Sequence, residues 1–180
     1  MSNKHEGDIS FTLDLQTNML LSAQYVLENF DSPLQSKYIN IYLKEVGTFF
    51  ELFFKYKLML INPSLIWLQP EKYDSDKHSK ADFKSISAER TIALAKNLGW
   101  LDNKEYQIVD KYRLLRNKLA HFSAYEFDDE VNSWPYEKFP YYDQVKIKSL
   151  TKKLLLEHHD ILCDNPFYNI ILSQDYFTKE

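Results

Sequence analysis

The stretch LQSKYINIYLKEVGTFFELFFKYKLMLI, Leu34 to Ile61, decides the fold. Its apolar residues Tyr38, Ile39, Tyr42, Leu43, Val46, Phe49, Phe50, Phe53 and Tyr56 recur at steps of three and four, the period of one face of an α-helix. Asn62-Pro63 ends or bends that helix, because proline lacks an amide hydrogen and restricts the residue before it. Lys44, Thr48, Glu51 and Lys55 follow one another at i+4, i+3 and i+4, so they form one narrow polar stripe on a helix that is otherwise apolar around most of its girth. A polar partner or water must face that stripe.

Working outward, the same period gives a helix over about Leu15 to Phe30, closed by Asp31-Ser32-Pro33. Ser64 to Gln69 reads as a short apolar helix before Pro70, and Glu71 to Lys80 as a charged connection. Ser87 is placed to cap a helix over Ala88 to Leu98, and Gly99 stands where a left-handed residue would close it. From about Asn103 to Phe122 a further helix sets Ile108, Tyr112, Leu115, Leu119 and Phe122 on one face. Ser123 to Tyr142 is a long connection rich in aromatics and acids, and connections of that length are often functional. Gln144 to Cys163 is again amphipathic and is broken by Asn165-Pro166; the tail, 165–180, is either a short helix or a partner-binding arm. The expectation is a single all-α domain over 1–180, an antiparallel bundle of about five helices.

Composition agrees with helices. The chain has 180 residues, enough for one sizeable core, and only three glycines, too few for a hairpin-rich sheet protein. Thirteen Tyr and 12 Phe supply large side chains for a core or an interface. A net charge of -4 excludes coating of nucleic acid by bulk electrostatics, so any such contact has to be local. The lone Cys163 excludes an internal disulfide framework, and the polar start Met1 to Asp8 lacks the apolar core of a signal peptide. The apolar run Phe49 to Ile61 carries Glu51, Lys55 and Lys57 and is too short to span a membrane. A cytoplasmic protein without membrane contact is expected.

Chemistry concentrates in Arg116-Asn117-Lys118-Leu119-Ala120-His121. Asn117 and His121, four apart, can touch on one helix face, while Arg116 projects about 100° from Asn117; a loosening of the last turn near Ser123 would let Arg116 and His121 converge on one anion. An imidazole titrates near neutrality, a guanidinium binds phosphate in a bidentate fork, and a carboxamide fixes the tautomer of the imidazole. Lys111, Arg113 and Lys118 make this helix locally basic inside an acidic chain.

The hexapeptide resembles the R-x4-6-H motif of the HEPN superfamily, in which a polar residue, commonly Asn, follows the Arg. The order of the long helix with Glu51 to Lys55, the helix ending Leu98-Gly99-Trp100-Leu101 and the motif helix is similar to that family over Leu34 to Phe122. The resemblance implies a helical domain that forms a homodimer with a shared site, and metal-independent cleavage of single-stranded RNA. It also implies the roles. Arg116 would hold the scissile phosphate, Asn117 would orient His121, and His121 would activate the ribose 2′-hydroxyl, leaving a 2′,3′-cyclic phosphate. Members of this kind act as toxins or abortive-infection effectors, often beside a nucleotidyltransferase-like antitoxin, and others only bind. In one toxin subgroup a tyrosine two positions after the His is modified by the antitoxin; here that position is Ser123 and the nearest tyrosine is Tyr125, which argues against that control.

Secondary candidates stand beside the motif. Glu51 and Lys55 either complete the site or form an ordinary i,i+4 ion pair. Tyr125, with Phe127, Trp134, Tyr136 and Phe139, either stacks on unpaired bases or pins its own loop. His158, His159, Asp160 and Cys163 lack a second ligand cluster, so neither a metal nor a cofactor is expected. The alternative to a ribonuclease is a catalytically silent module of the same fold that binds a protein or a nucleotide, a reading the net acidity favours.

Overall fold

A computed structural model describes residues 4–29, 36–69, 71, 84–121, 141–174 and 177; among these, side-chain surroundings are described for 14–29, 41–69, 71, 84–117, 144–174 and 177. The described residues form seven α-helices and no strand. They are α1 (Lys4–Glu28), α2 (Ser36–Ile61), α3 (Ala88–Asn97), α4 (Asn103–His121), α5 (Tyr141–Leu156), α6 (His159–Leu162) and α7 (Pro166–Ser173), with a 3-10 turn over Pro63–Ile66.

The all-α expectation holds, and the differences have local causes. α1 starts well before Leu15. The amphipathic segment Gln144 to Cys163 is two helices, because the chain turns at Glu157 and His158 before α6. Asn165 caps α7 by accepting a hydrogen bond from the Phe167 amide at 2.9 Å, and Pro166 opens that helix where no amide donor is needed. The tail is thus helical through Ser173. The loop expected over 123–142 lies outside the described residues up to 140, and Tyr141 already belongs to α5.

Both ends of α3 follow the sequence. The Ser87 side chain accepts from the Arg90 amide at 3.2 Å. Gly99 has φ 73°, and the amides of Gly99 and Trp100 donate back to the carbonyls of Lys96 and Ala95, the closure that a left-handed glycine permits. α4 starts with a reciprocal cap that the sequence reading passed over. Asp102 Oδ1 accepts from the amides of Lys104 (2.7 Å) and Glu105 (2.8 Å), and Glu105 Oε2 accepts from the Asp102 amide at 2.9 Å. Those amide donors hold the Asp102 carboxyl below its ordinary range.

α2 is the central helix. Phe49, Phe50, Phe53 and Phe54 are fully buried, with ring centroids 5.2 to 5.7 Å apart along the series. Each such ring contributes roughly 1.5–3 kcal/mol on leaving water. α1 runs antiparallel to α2, since Ser22 bonds Glu45 while Gln16 bonds Tyr56. α4 is antiparallel to α2 on another side, since Trp100 stacks on Phe54 just before α4 begins and Arg116 near its end meets Glu51. The His158 ring packs edge-on against Phe53 at 5.0 Å and closes α5 onto α2. Among the described residues no helix is long and apolar enough to cross a membrane.

The C-terminal helices are anchored by one buried polar knot. The Gln16 amide donates to Tyr56 Oη (3.2 Å) and to the Ile161 carbonyl (3.3 Å), and its Oε1 accepts from Asn165 Nδ2 at 2.8 Å. Asn165 thus caps α7 and satisfies a buried amide of α1 at once. Asn165→Ala removes both interactions and leaves Gln16 short of a donor, at a cost of about 1–3 kcal/mol. Urea unfolding measures this, and a loss below about 0.5 kcal/mol would show that the knot does not hold α7.

Candidate functional site

α2 and α4 approach closely where Gly47 faces Arg116. A Cβ built on Gly47 would stand 2.8 Å from Arg116 Cβ, 3.0 Å from Arg116 Cδ and 3.1 Å from the Tyr112 carbonyl oxygen. Only glycine lets the Arg116 stem lie across the α2 backbone at this separation. One turn further along α2 the guanidinium meets its partner: Arg116 Nη1 donates to Glu51 Oε2.

Glu51 is shared. Its Oε1 accepts from Lys55 Nζ at 2.5 Å, and Lys55 donates also to Ser85 Oγ at 2.9 Å. Lys55 and Glu51 side chains are only 7% and 12% exposed, while Arg116 keeps 29%. The polar stripe of α2 has therefore found its partner in Arg116 and in the segment before α3. Glu51 and Lys55, second-rank candidates by sequence, are the residues brought to the motif arginine, and they are also the i,i+4 ion pair that sequence reading set against that role. Two cations share one carboxylate in a largely desolvated crossing. Such a grouping attracts a further anion to its exposed member, because removing charge from water is costly until it is balanced.

The other motif residues lie around α4. The helix is regular through His121, so the last turn does not loosen. A separation of five residues then projects Arg116 and His121 about 140° apart, with Asn117 about 40° from His121. Asn117 is exposed, as are Lys111 and Leu114 on the same side of the helix. The side chains of Lys118 and His121, the residue Tyr125 and the rest of the aromatic loop lie outside the described residues. Arg113 is turned toward α3: its Nε donates to Asp110 at 2.6 Å and its Nη1 lies 3.9 Å from Glu89.

On another face of α2, His158 Nδ1 pairs with the Leu154 carbonyl at 2.9 Å, and burial against Phe53 holds the imidazole below its ordinary pKa. His159 Nδ1 lies 3.2 Å from Tyr168 Oη. Among the described residues no three His, Cys, Asp or Glu side chains gather in a metal-binding group. No family model, curated protein or solved structure matches the chain.

Sequence reasoning missed Gly47, the residue on which the site's geometry turns. Its signal was available: a glycine inside an otherwise strong helix, costing about 1 kcal/mol relative to alanine, calls for a packing reason. Gly47→Ala sets that helix gain of about 1 kcal/mol against an overpacking cost of about 1–3 kcal/mol, and the Cβ of Arg116 cannot yield without moving α4. The expected outcome is net destabilisation in urea unfolding; a more stable Gly47→Ala protein would contradict the close crossing.

Proposed function

We propose that the chain is a metal-independent endoribonuclease of the HEPN type, acting on single-stranded RNA as a two-fold pair of copies. The observation that carries the reading is the Arg116–Glu51–Lys55 crossing. Glu51 takes one Nη1 hydrogen bond and fixes the guanidinium, while the other donors of this partly exposed arginine serve a phosphate. Within one copy, the helix positions of Arg116 and His121 stand about 140° apart around α4, so in this reading the pair is completed across the two-fold axis: His121 of one copy, oriented by Asn117, serves the phosphate held by Arg116 of the other. His121 takes the proton of the 2′-hydroxyl, the oxygen attacks phosphorus, and the 5′-oxygen leaves and is protonated from solvent. The products are a 2′,3′-cyclic phosphate and a 5′-hydroxyl. Lys111 and Lys118, two turns apart along α4, add local positive charge for the strand in an acidic chain. This chemistry suits the toxic half of a toxin–antitoxin or phage-defence pair in the cytoplasm, restrained by an antitoxin, of which a nucleotidyltransferase-like protein is one kind.

The second reading is a silent binding module. Its support is that Arg116 already has a carboxylate partner within the chain and that the chain as a whole is acidic. Cleavage in excess chelator separates the two. The parent is expected to cut RNA with EDTA present, and His121→Ala to lose roughly 10²–10⁴-fold in rate while keeping the parent's stability. A parent that cuts nothing supports the module. Activity that vanishes with EDTA and returns with one divalent ion would overturn the mechanism.

A further inference from the structure

The polar stripe does more than meet Arg116. On its other side α2 forms, with α1, an open groove of about 530 Å³ lined by Asn18, Leu21, Ser22, Tyr25, Ile41, Glu45, Thr48 and Leu52. That volume is within the usual span of small-ligand clefts. Thr48 belongs to both features: it lines the groove and stands three residues before Glu51, so the two side chains are helical neighbours about 5–6 Å apart at Cβ. The groove and Arg116 therefore flank the same polar strip of one helix, a separation on the order of one helix diameter, about 10 Å. Lys44, the first member of the strip, is exposed beside it.

The lining is that of a site for a flat body with a polar edge. Leu21, Tyr25, Ile41 and Leu52 supply apolar and aromatic walls, and Leu21 and Ile41 are largely exposed at 45% and 44%. Ser22, itself 5% exposed, donates to Glu45 Oε2 at 2.7 Å and so fixes the carboxylate at the groove. Ser22 engages only that one of the two carboxylate oxygens. A buried serine orienting an acid beside an apolar wall favours a ligand that donates hydrogen bonds from one edge. A phosphate or a carboxylate would be repelled there.

From this geometry we infer that the α1–α2 groove is a base-binding subsite of the same RNA strand, selective for a base with a donor edge, guanine foremost, whose backbone crosses Lys44 and Thr48 to the phosphate at Arg116. Guanine presents two donors side by side, which Glu45 accepts. The inference rests on the ribonuclease reading for the phosphate site and adds to it the base read beside the cut.

The experiment uses short labelled single-stranded RNAs that carry one G, A, C or U in a uniform background. Binding by anisotropy and cleavage are both measured, for the parent, for Leu21→Ser/Ile41→Ser and for Glu45→Gln. The parent is expected to favour the G-containing strand. The double variant should lose about tenfold in affinity, and in Glu45→Gln the preference for G should collapse. Glu45→Gln is the stringent arm, since removing a negative charge would by electrostatics alone strengthen RNA binding for every strand alike. Uniform strengthening, or variants with the parent's affinity and base profile, would overturn the groove while leaving parental cleavage, and the ribonuclease reading, in place. Groove-dependent G binding without cleavage would uphold the groove and sink the nuclease. A parent that binds no RNA would sink both. Conversion of a parental dimer to a monomer by Leu21→Ser/Ile41→Ser would show the groove to be covered by a second copy and would also overturn the subsite.

Discussion

The fold turns on one carboxylate. Glu51 stands between Lys55 on its own helix and Arg116 on α4, inside a crossing that Gly47 alone makes close enough. Buried ion groupings of this kind are weak sources of net stability, because desolvation consumes most of the Coulombic gain. Their loss is nonetheless severe, since removing one partner strands the others. A hydrophobic crossing of α2 and α4 would hold the bundle at least as well. Three charged residues where α4 crosses the phenylalanine-rich α2, two of them on α2 and one on α4, therefore argue for a task other than packing.

The surrounding structure keeps that crossing in register. Lys55 reaches Ser85, so the segment that enters α3 is tied to α2 at the level of the site. The Ser87 cap and the Gly99 closure fix the ends of α3, and the reciprocal Asp102–Glu105 cap fixes where α4 begins. Arg113 links α4 back to α3 through Glu89 and leaves Arg116, three residues on, to face α2. The Gln16–Asn165 knot and the His158–Phe53 contact close the C-terminal helices against α1 and α2, away from the site.

Much of the fold was legible because helical periodicity and end signals are local. The Leu34–Ile61 pattern, Ser87 and Gly99 each rest on residues within one or two turns, and each reappears in the structure. The break at Glu157 and His158 was not legible, because apolar spacing continues through it and the turn carries neither glycine nor proline. At the site, the polar stripe pointed to an unseen partner but could not name it: pairing Glu51 with Arg116 is a contact across 65 residues, set by how two helices cross. Gly47 was readable only as an anomaly in α2, and its meaning needed the facing arginine. The 140° between Arg116 and His121 was implied by a spacing of five, and the regularity of α4 through His121 makes it count.

That angle makes the central claim testable by mixing two inactive proteins. Arg116→Ala and His121→Ala, each dead alone, are unfolded and refolded together so that mixed pairs form. If each site takes its arginine from one copy and its histidine from the other, every mixed pair contains one intact site. Cleavage should then return to about half the parental rate per mixed pair, a figure that follows from one of two sites in a two-fold assembly. A mixture as inactive as its components, with mixed pairs shown to be present, would contradict the shared site.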